Sequence, residues 1–158
     1  MKKITLLALM LCISSFAFAQ FPGPYCGPLE YNTNVEPITL VSIAEINNVT
    51  DAAVDGSPAH EDFTTLTDNL TLGEAYDITF EGNTAGPYDN SYTVFIDFNQ
   101  NDILDDAGEV FAFEDVINSS SGTDGQSYTG SIAIPADALE GDTRMRVKKI
   151  YNSDAIND

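Results

Sequence analysis

The chain has 158 residues, with 25 Asp or Glu against six Lys or Arg, for a formal net charge of −19. Nucleic-acid binding needs a basic face, and an anionic membrane repels so acidic a surface, so neither is expected as a partner. The length is that of roughly one domain.

The chain opens with Lys2 and Lys3, followed by an apolar run from Ile4 to Phe18, with Ala17 and Ala19 at the two positions a signal peptidase reads. Residues 1–19 therefore read as a signal peptide, cleaved before Gln20. Cys12 follows Leu11, which is not the small residue a lipoprotein anchor requires, so Cys12 goes with the discarded peptide. No later run is apolar for about 20 residues, so no membrane insertion is expected. The mature product is expected to be secreted or held at the cell surface. It keeps four basic residues, all within residues 144–149, against the same 25 acidic ones. Charge of one sign opposes compaction. Bound cations would relieve it, although many exported proteins are simply acidic.

Residues 20–30 are punctuated by Pro22, Gly23, Pro24, Gly27 and Pro28 and read as an extended lead-in. Cys26, the single cysteine left after cleavage, is either a free thiol or a partner for something the chain lacks. Residues 31–158 read as the folded domain, and their period is two rather than 3.6. Ile38 to Ile43 is apolar on both faces. Tyr76, Ile78 and Phe80 alternate with polar residues, and Tyr92, Val94, Ile96 and Phe98 form the next run. Val110 to Phe113, Tyr128 to Ile134 and Thr143 to Tyr151 follow, the last with Met145 and Val147 opposite Arg144, Arg146 and Lys148. Turn clusters such as Asp55-Gly56-Ser57-Pro58, Glu81-Gly82-Asn83 and Ser119 to Gly125 separate these runs. Ala136 to Leu139 is one helical turn or a loop. The fold class is therefore all-β, a jelly-roll-like β-sandwich of antiparallel strands.

One segment carries chemistry. From Asp97 to Glu109, oxygen side chains recur at Asp97, Asn99 and Asn101, then at Asp105, Asp106 and Glu109. Ca²⁺ takes six to eight oxygens, and a tight loop supplies them from alternate side chains with a backbone carbonyl between. The expected ligands are Asp97, Asn99, Asn101, the carbonyl of Ile103, Asp105 and Glu109. The pattern differs from an EF-hand in having Asp102 where glycine is required at position 6, and Glu109 at position 13 rather than 12. A calcium-type loop between two strands fits better than a helix-flanked one. The competing reading is a solvated acidic hairpin, in which Asn and Asp serve only as turn formers.

Other candidates carry less. His60 is the sole histidine and has no second histidine four residues away, so no zinc-protease helix is present. No Gly-x-Ser-x-Gly elbow occurs. Acidic residues are too numerous for any one pair to mark a glycosidase. The basic strand at 144–149 could hold an anionic sugar, but pairing with neighbouring acidic strands is the simpler reading.

Phe95-Ile96-Asp97-Phe98-Asn99-Gln100-Asn101 followed by Asp105-Asp106-Ala107-Gly108-Glu109-Val110 resembles the signature of the GEVED domain family. Ser57 to Thr64, Glu81 to Thr84, Ser119 to Ala136 and Thr143 to Val147 fit the same family, so the resemblance spans about Tyr25 to Tyr151. It implies an all-β domain of large secreted or surface bacterial proteins, found beside proteases, adhesion modules and sorting domains. Relatives carry Trp at Phe98 and Gly at Asp102, and Phe111-Ala112 here replaces the terminal Glu-Asp of the name-giving motif. The resemblance also implies a second cysteine beyond Tyr151 to pair with Cys26. Its lack suggests a chain truncated at its C-terminus. The expected function is a non-catalytic, calcium-stabilised extracellular module for adhesion, carbohydrate contact or spacing, with glycans or surface proteins as partners. The alternative is an accessory or catalytic domain of a secreted protease or glycosidase.

Overall fold

The computed structural model describes Tyr25 and residues 34–151. The expected signal peptide, Cys12, Cys26 and the expected lead-in apart from Tyr25 lie outside the described residues. Seven strands follow in chain order: β1 (Ile38–Ile43), β2 (Ile46–Val49), β3 (Ala75–Gly82), β4 (Asp89–Ile96), β5 (Val110–Asn118), β6 (Tyr128–Ala133) and β7 (Met145–Tyr151). No helix forms among the described residues, and none there is long and apolar enough to cross a membrane.

Every pairing is antiparallel. One sheet has the order β2-β1-β3-β6 and the other β5-β4-β7. Alternation explains what each sheet buries. Ile78 and Phe80 of β3 and Ile132 of β6 turn inward from the first sheet, and Tyr92, Val94 and Ile96 of β4 turn inward from the second; together they form one buried cluster. Phe80 stacks on Tyr92 with ring centroids 4.8 Å apart and rings 19° from parallel. Phe113 of β5 approaches both Phe80, at 5.6 Å, and Tyr128 of β6, at 5.7 Å. The arrangement is all-β and sandwich-like.

Two glycines let the aromatic layer form. A Cβ on Gly130 would collide with the ring of Phe113, and one on Gly82 would collide with the hydroxyl of Tyr92. Both glycines lie on strands of the first sheet, and both rings belong to the second. The rings thus occupy the space that side chains at Gly130 and Gly82 would take.

The structure departs from the sequence reading at several places, and β5 runs on to Asn118 where the sequence run ends at Phe113. The pair Ile46–Val49 forms a strand on β1 although only alternate residues are partly buried. Its turn, Ala44-Glu45, lacks glycine and asparagine and runs through Ala44 at φ 48°, so the usual hairpin signal is missing. The run from Tyr92, which forms β4, stops at Ile96 instead of Phe98, because the chain turns at Asp97. Ala136–Leu139 is a turn, with the Ala138 N–H donating to the Pro135 carbonyl at 3.3 Å.

The β5–β6 connection is held by one exposed carboxylate. Asp124 accepts from the Ser121 N–H at 2.9 Å, the Gln126 N–H at 3.1 Å and the Ser120 hydroxyl at 3.0 Å. These donors pull its pKa down to about 2, the two backbone N–H groups most strongly.

Gly130→Ala is expected to destabilise the domain by about 1–3 kcal/mol through overpacking against Phe113, read as a lowered urea midpoint at unchanged slope. Asp124→Ala is expected to lower the melting temperature near neutral pH. A carboxylate with a depressed folded pKa stabilises above its unfolded pKa and loses that contribution as pH falls through the folded value. The difference between wild type and variant should therefore shrink below pH ~4 and vanish only once the pH is below the folded value of about 2.

Candidate functional site: the loop between the fourth and fifth strands

Residues 97–109 join β4 to β5, the central and one outer strand of the second sheet. Ladder bonds set the ends of the loop. The Ile96 N–H donates to the Glu109 carbonyl at 3.0 Å, and the Asp97 N–H donates across to the Arg144 carbonyl at 3.2 Å. The Thr143 hydroxyl donates to the Asp97 carbonyl. The start of the loop is therefore fastened to the chain entering β7 as well as to β5.

Asp97 organises the interior. Its side chain is fully buried. Oδ1 accepts from the Asn101 N–H at 3.1 Å, and Oδ2 accepts from the Asp102 N–H at 3.0 Å. Oδ2 also accepts from the Tyr25 hydroxyl at 2.8 Å. Burial, and then the bond to and charge of Asp97, push the Tyr25 phenol up to about 12. Arg144 lies over the same ring, 5.1 Å from its centroid, a cation–π contact that brings a positive charge near the buried carboxylate.

Alternate residues then form a ladder of short turns. The Asn99 side-chain oxygen accepts from the Asn101 N–H at 3.1 Å, and the Asn101 side-chain oxygen from the Ile103 N–H at 2.9 Å. Each amide oxygen has two lone pairs, so one remains on each. The two side-chain amides donate to Oδ2 of Asp106, at 2.9 Å from Asn99 and 2.6 Å from Asn101. These donors hold the Asp106 carboxyl below its usual range. Asp102, at position 6, has φ 71°. It takes the left-handed backbone that an EF-hand loop assigns to glycine at that position, and aspartate tolerates this better than most residues.

Glu109 closes the loop. It is 3% exposed, and its Oε2 has no hydrogen-bond partner. Its Oε1 accepts from the Asn99 N–H at 3.0 Å. Burial raises its pKa, and the charges of Asp97 and Asp106 raise it further, against the bond from Asn99. Leu104 plugs the loop from below at 1% exposure, whereas Ile103 is 48% exposed.

The six expected ligands are thus divided. Asp97, Asn99, Asn101 and Glu109 share one hydrogen-bonded unit. Asp105 is exposed, and its neighbour Asp106 is the carboxylate that meets the asparagines. No three His, Cys, Asp or Glu side chains among the described residues converge as a metal-holding group. A calcium site built here would draw on amide and carbonyl oxygens as well as carboxylates. Tyr25, Thr143 and Arg144 were not legible as parts of the site, because they come from 46 or more residues away along the chain. Asp106 was legible only as one of two adjacent acids.

Asp97→Ala is expected to destabilise the domain by about 3 kcal/mol, since it strands two backbone donors and a phenol that bonded to a charge. Half-buried Asp106→Ala should cost clearly less; urea unfolding of the two variants in chelator checks the order.

The family model described as GEVED domain matches residues 91–158, a stretch that includes this loop and β5 to β7. No curated protein and no solved structure matches the chain.

Proposed function

We propose, from the match of residues 91–158 to the GEVED domain family model, that the chain is a non-catalytic extracellular module stabilised by calcium in its Asp97–Glu109 loop. Its role in this reading is adhesion, carbohydrate contact or spacing at the surface of a bacterial cell. We read its winding as jelly-roll-like, because the chain changes sheet between β3 and β4, between β5 and β6, and between β6 and β7.

The observation that carries the metal reading is Glu109. A carboxylate that is nine-tenths buried, with one oxygen unpartnered, costs several kcal/mol unless something positive meets it. A divalent cation is the simplest remedy. Asp97, Asn99, Asn101 and Glu109 would hold it, with Asp106 in place of Asp105 and the Ile103 carbonyl completing the oxygen set. The ion would bind the two ends of the loop together and offset acidic repulsion. The left-handed backbone at Asp102 supports the same reading, since it is the turn such loops require.

Calorimetry after chelation tests it. Affinity typical of extracellular modules is about 10⁻⁴–10⁻³ M. Calcium at ~100 times the dissociation constant should then stabilise by about 2.7 kcal/mol, a rise of roughly 5–10 °C in melting temperature. Glu109→Gln keeps an oxygen for the Asn99 N–H. It should lose the calcium response while melting in chelator at or above the wild-type temperature. A wild-type melting temperature indifferent to calcium raised to ~100 mM, about 100 times the weakest expected dissociation constant, would rule the metal out.

A further inference from the structure

A second polar cluster lies at the other end of β4, inside the sandwich. Lys149 of β7 is 8% exposed and Asn90 of β4 is fully buried. Lys149 sits opposite Tyr92 in the β4–β7 ladder, so Asn90, two residues before Tyr92, is its diagonal neighbour. The Lys149 ammonium donates to Oδ1 of Asn90 at 2.6 Å and to the Asn83 carbonyl at 2.9 Å. Glu36, just before β1 of the opposite sheet, brings a carboxylate oxygen to 3.5 Å from the same nitrogen. The Asn90 side-chain nitrogen donates to the Tyr88 carbonyl at 3.3 Å. The walls are apolar. The Lys149 stem and the buried, unpartnered hydroxyl of Tyr92 both border the space above Gly82, and Phe80 stacks on the Tyr92 ring.

A buried amine and a buried carboxamide thus meet a carboxylate that is 25% exposed at the edge of their site. We propose that Lys149 and Asn90 condense into an intramolecular amide that ties β7 to β4, with Glu36 as the proton carrier. Glu36 takes a proton from the ammonium. The freed lone pair of Nζ adds to Cγ of Asn90, forming the new C–N bond. Collapse of the tetrahedral intermediate breaks the Cγ–Nδ2 bond, with Glu36 returning a proton to the departing nitrogen. One proton stays on the new amide, and the rest leave with Nδ2 as ammonium, so Glu36 ends ionised as it began. No oxidant or co-reactant is required.

The setting favours each step. Held reactants convert a bimolecular amide exchange into an intramolecular one, a large gain when the reacting groups are in contact. Burial lowers the Lys149 pKa to about 8 against the opposing pull of Glu36, which raises the share of nucleophilic amine. A structural ion pair does not explain the carboxamide: an ammonium beside Glu36 would be satisfied by solvent or backbone, without a second fully buried side chain spent on it. The inference is independent of the calcium reading, since none of these residues belongs to the acidic loop.

Mass spectrometry of the folded, full-length product tests the proposal. The mature chain should weigh less than its encoded mass by one ammonia. Cyclisation of an N-terminal glutamine or of Asn90 on its own backbone loses the same mass, so the deciding result is a branched peptide joining the segments around Asn90 and Lys149. No Lys or Arg lies between Lys3 and Arg144, so digestion at acidic residues is the suitable route. Lys149→Met and Asn90→Ala should each abolish the branched peptide. Glu36→Gln should fold, by circular dichroism, with the branched peptide lost or formed far more slowly. Folded wild-type protein held for days near pH 8 that yields only linear peptides overturns the proposal. A branched peptide formed at the wild-type rate in Glu36→Gln overturns the role of Glu36.

Discussion

A single buried carboxylate at the end of a central strand fixes how half of this domain is assembled. Asp97 is placed where β4 must stop, and its two oxygens receive the Asn101 and Asp102 N–H groups and the Tyr25 hydroxyl. Burying a charge is costly unless hydrogen bonds and opposite charge surround it. Here three donors do so, with Arg144 stacked on the ring of one of them. Because the donors come from the loop itself and from the distant N-terminal segment, and the backbone of Asp97 is bound to the chain entering β7, one residue couples three separate parts of the chain. The left-handed turn at Asp102 and the alignment of Asn99 and Asn101 follow from where that carboxylate points.

Much of the fold was legible because the strands bury one face. Tyr76, Ile78 and Phe80 announced β3, and Tyr92, Val94 and Ile96 announced β4, since a period of two sorts inward from outward side chains. The strand Ile46–Val49 was not, because an exposed edge strand needs no apolar alternation and its turn lacks the residues that mark hairpins. The acidic loop was legible as a spacing. Its choice of Asp106 over Asp105 was not, because two adjacent acids point in different directions and spacing alone does not decide which one turns inward. Lys149 had a signal that went unread. Met145 and Val147 face the core, and the same alternation carried two residues further lands on Lys149. A lysine in that register is either a break in the pattern or a buried group with partners, and here it has three.

The charge distribution gives these two sites a common logic. The acidic residues are spread through the chain, while the basic residues after Lys3 are confined to residues 144–149. β7 and the residue that leads into it therefore supply a cation to each end of the sandwich: Arg144 beside the buried Asp97 assembly, and Lys149 between Glu36 and Asn90. Arg146 and Lys148 lie opposite Phe95 and Thr93 on the outer face of the same sheet, where long aliphatic stems can cover apolar surface beneath a charged head. Removing β7 and the residues that lead into it would leave buried Asn90 on β4 and the buried Asp97 just beyond it without their counterparts, which makes its docking a requirement of the fold rather than an addition to it.

The irregularity in β5 has a consequence for how copies of this domain meet. Between the pairs Asn90–Ile117 and Tyr92–Phe113, three residues of β5 stand against Ser91 alone. Asp115, in the middle, adopts φ 51° and turns its N–H inward to the Ser91 hydroxyl at 2.9 Å. An outer strand normally offers a straight row of free N–H and C=O groups to which a foreign strand can add. A bulge bends and twists that row, and Glu114 and Asp115 add like charge along it. Crowded copies of this domain would find no continuous template on this flank, so chains can be packed densely without growing into fibres from it.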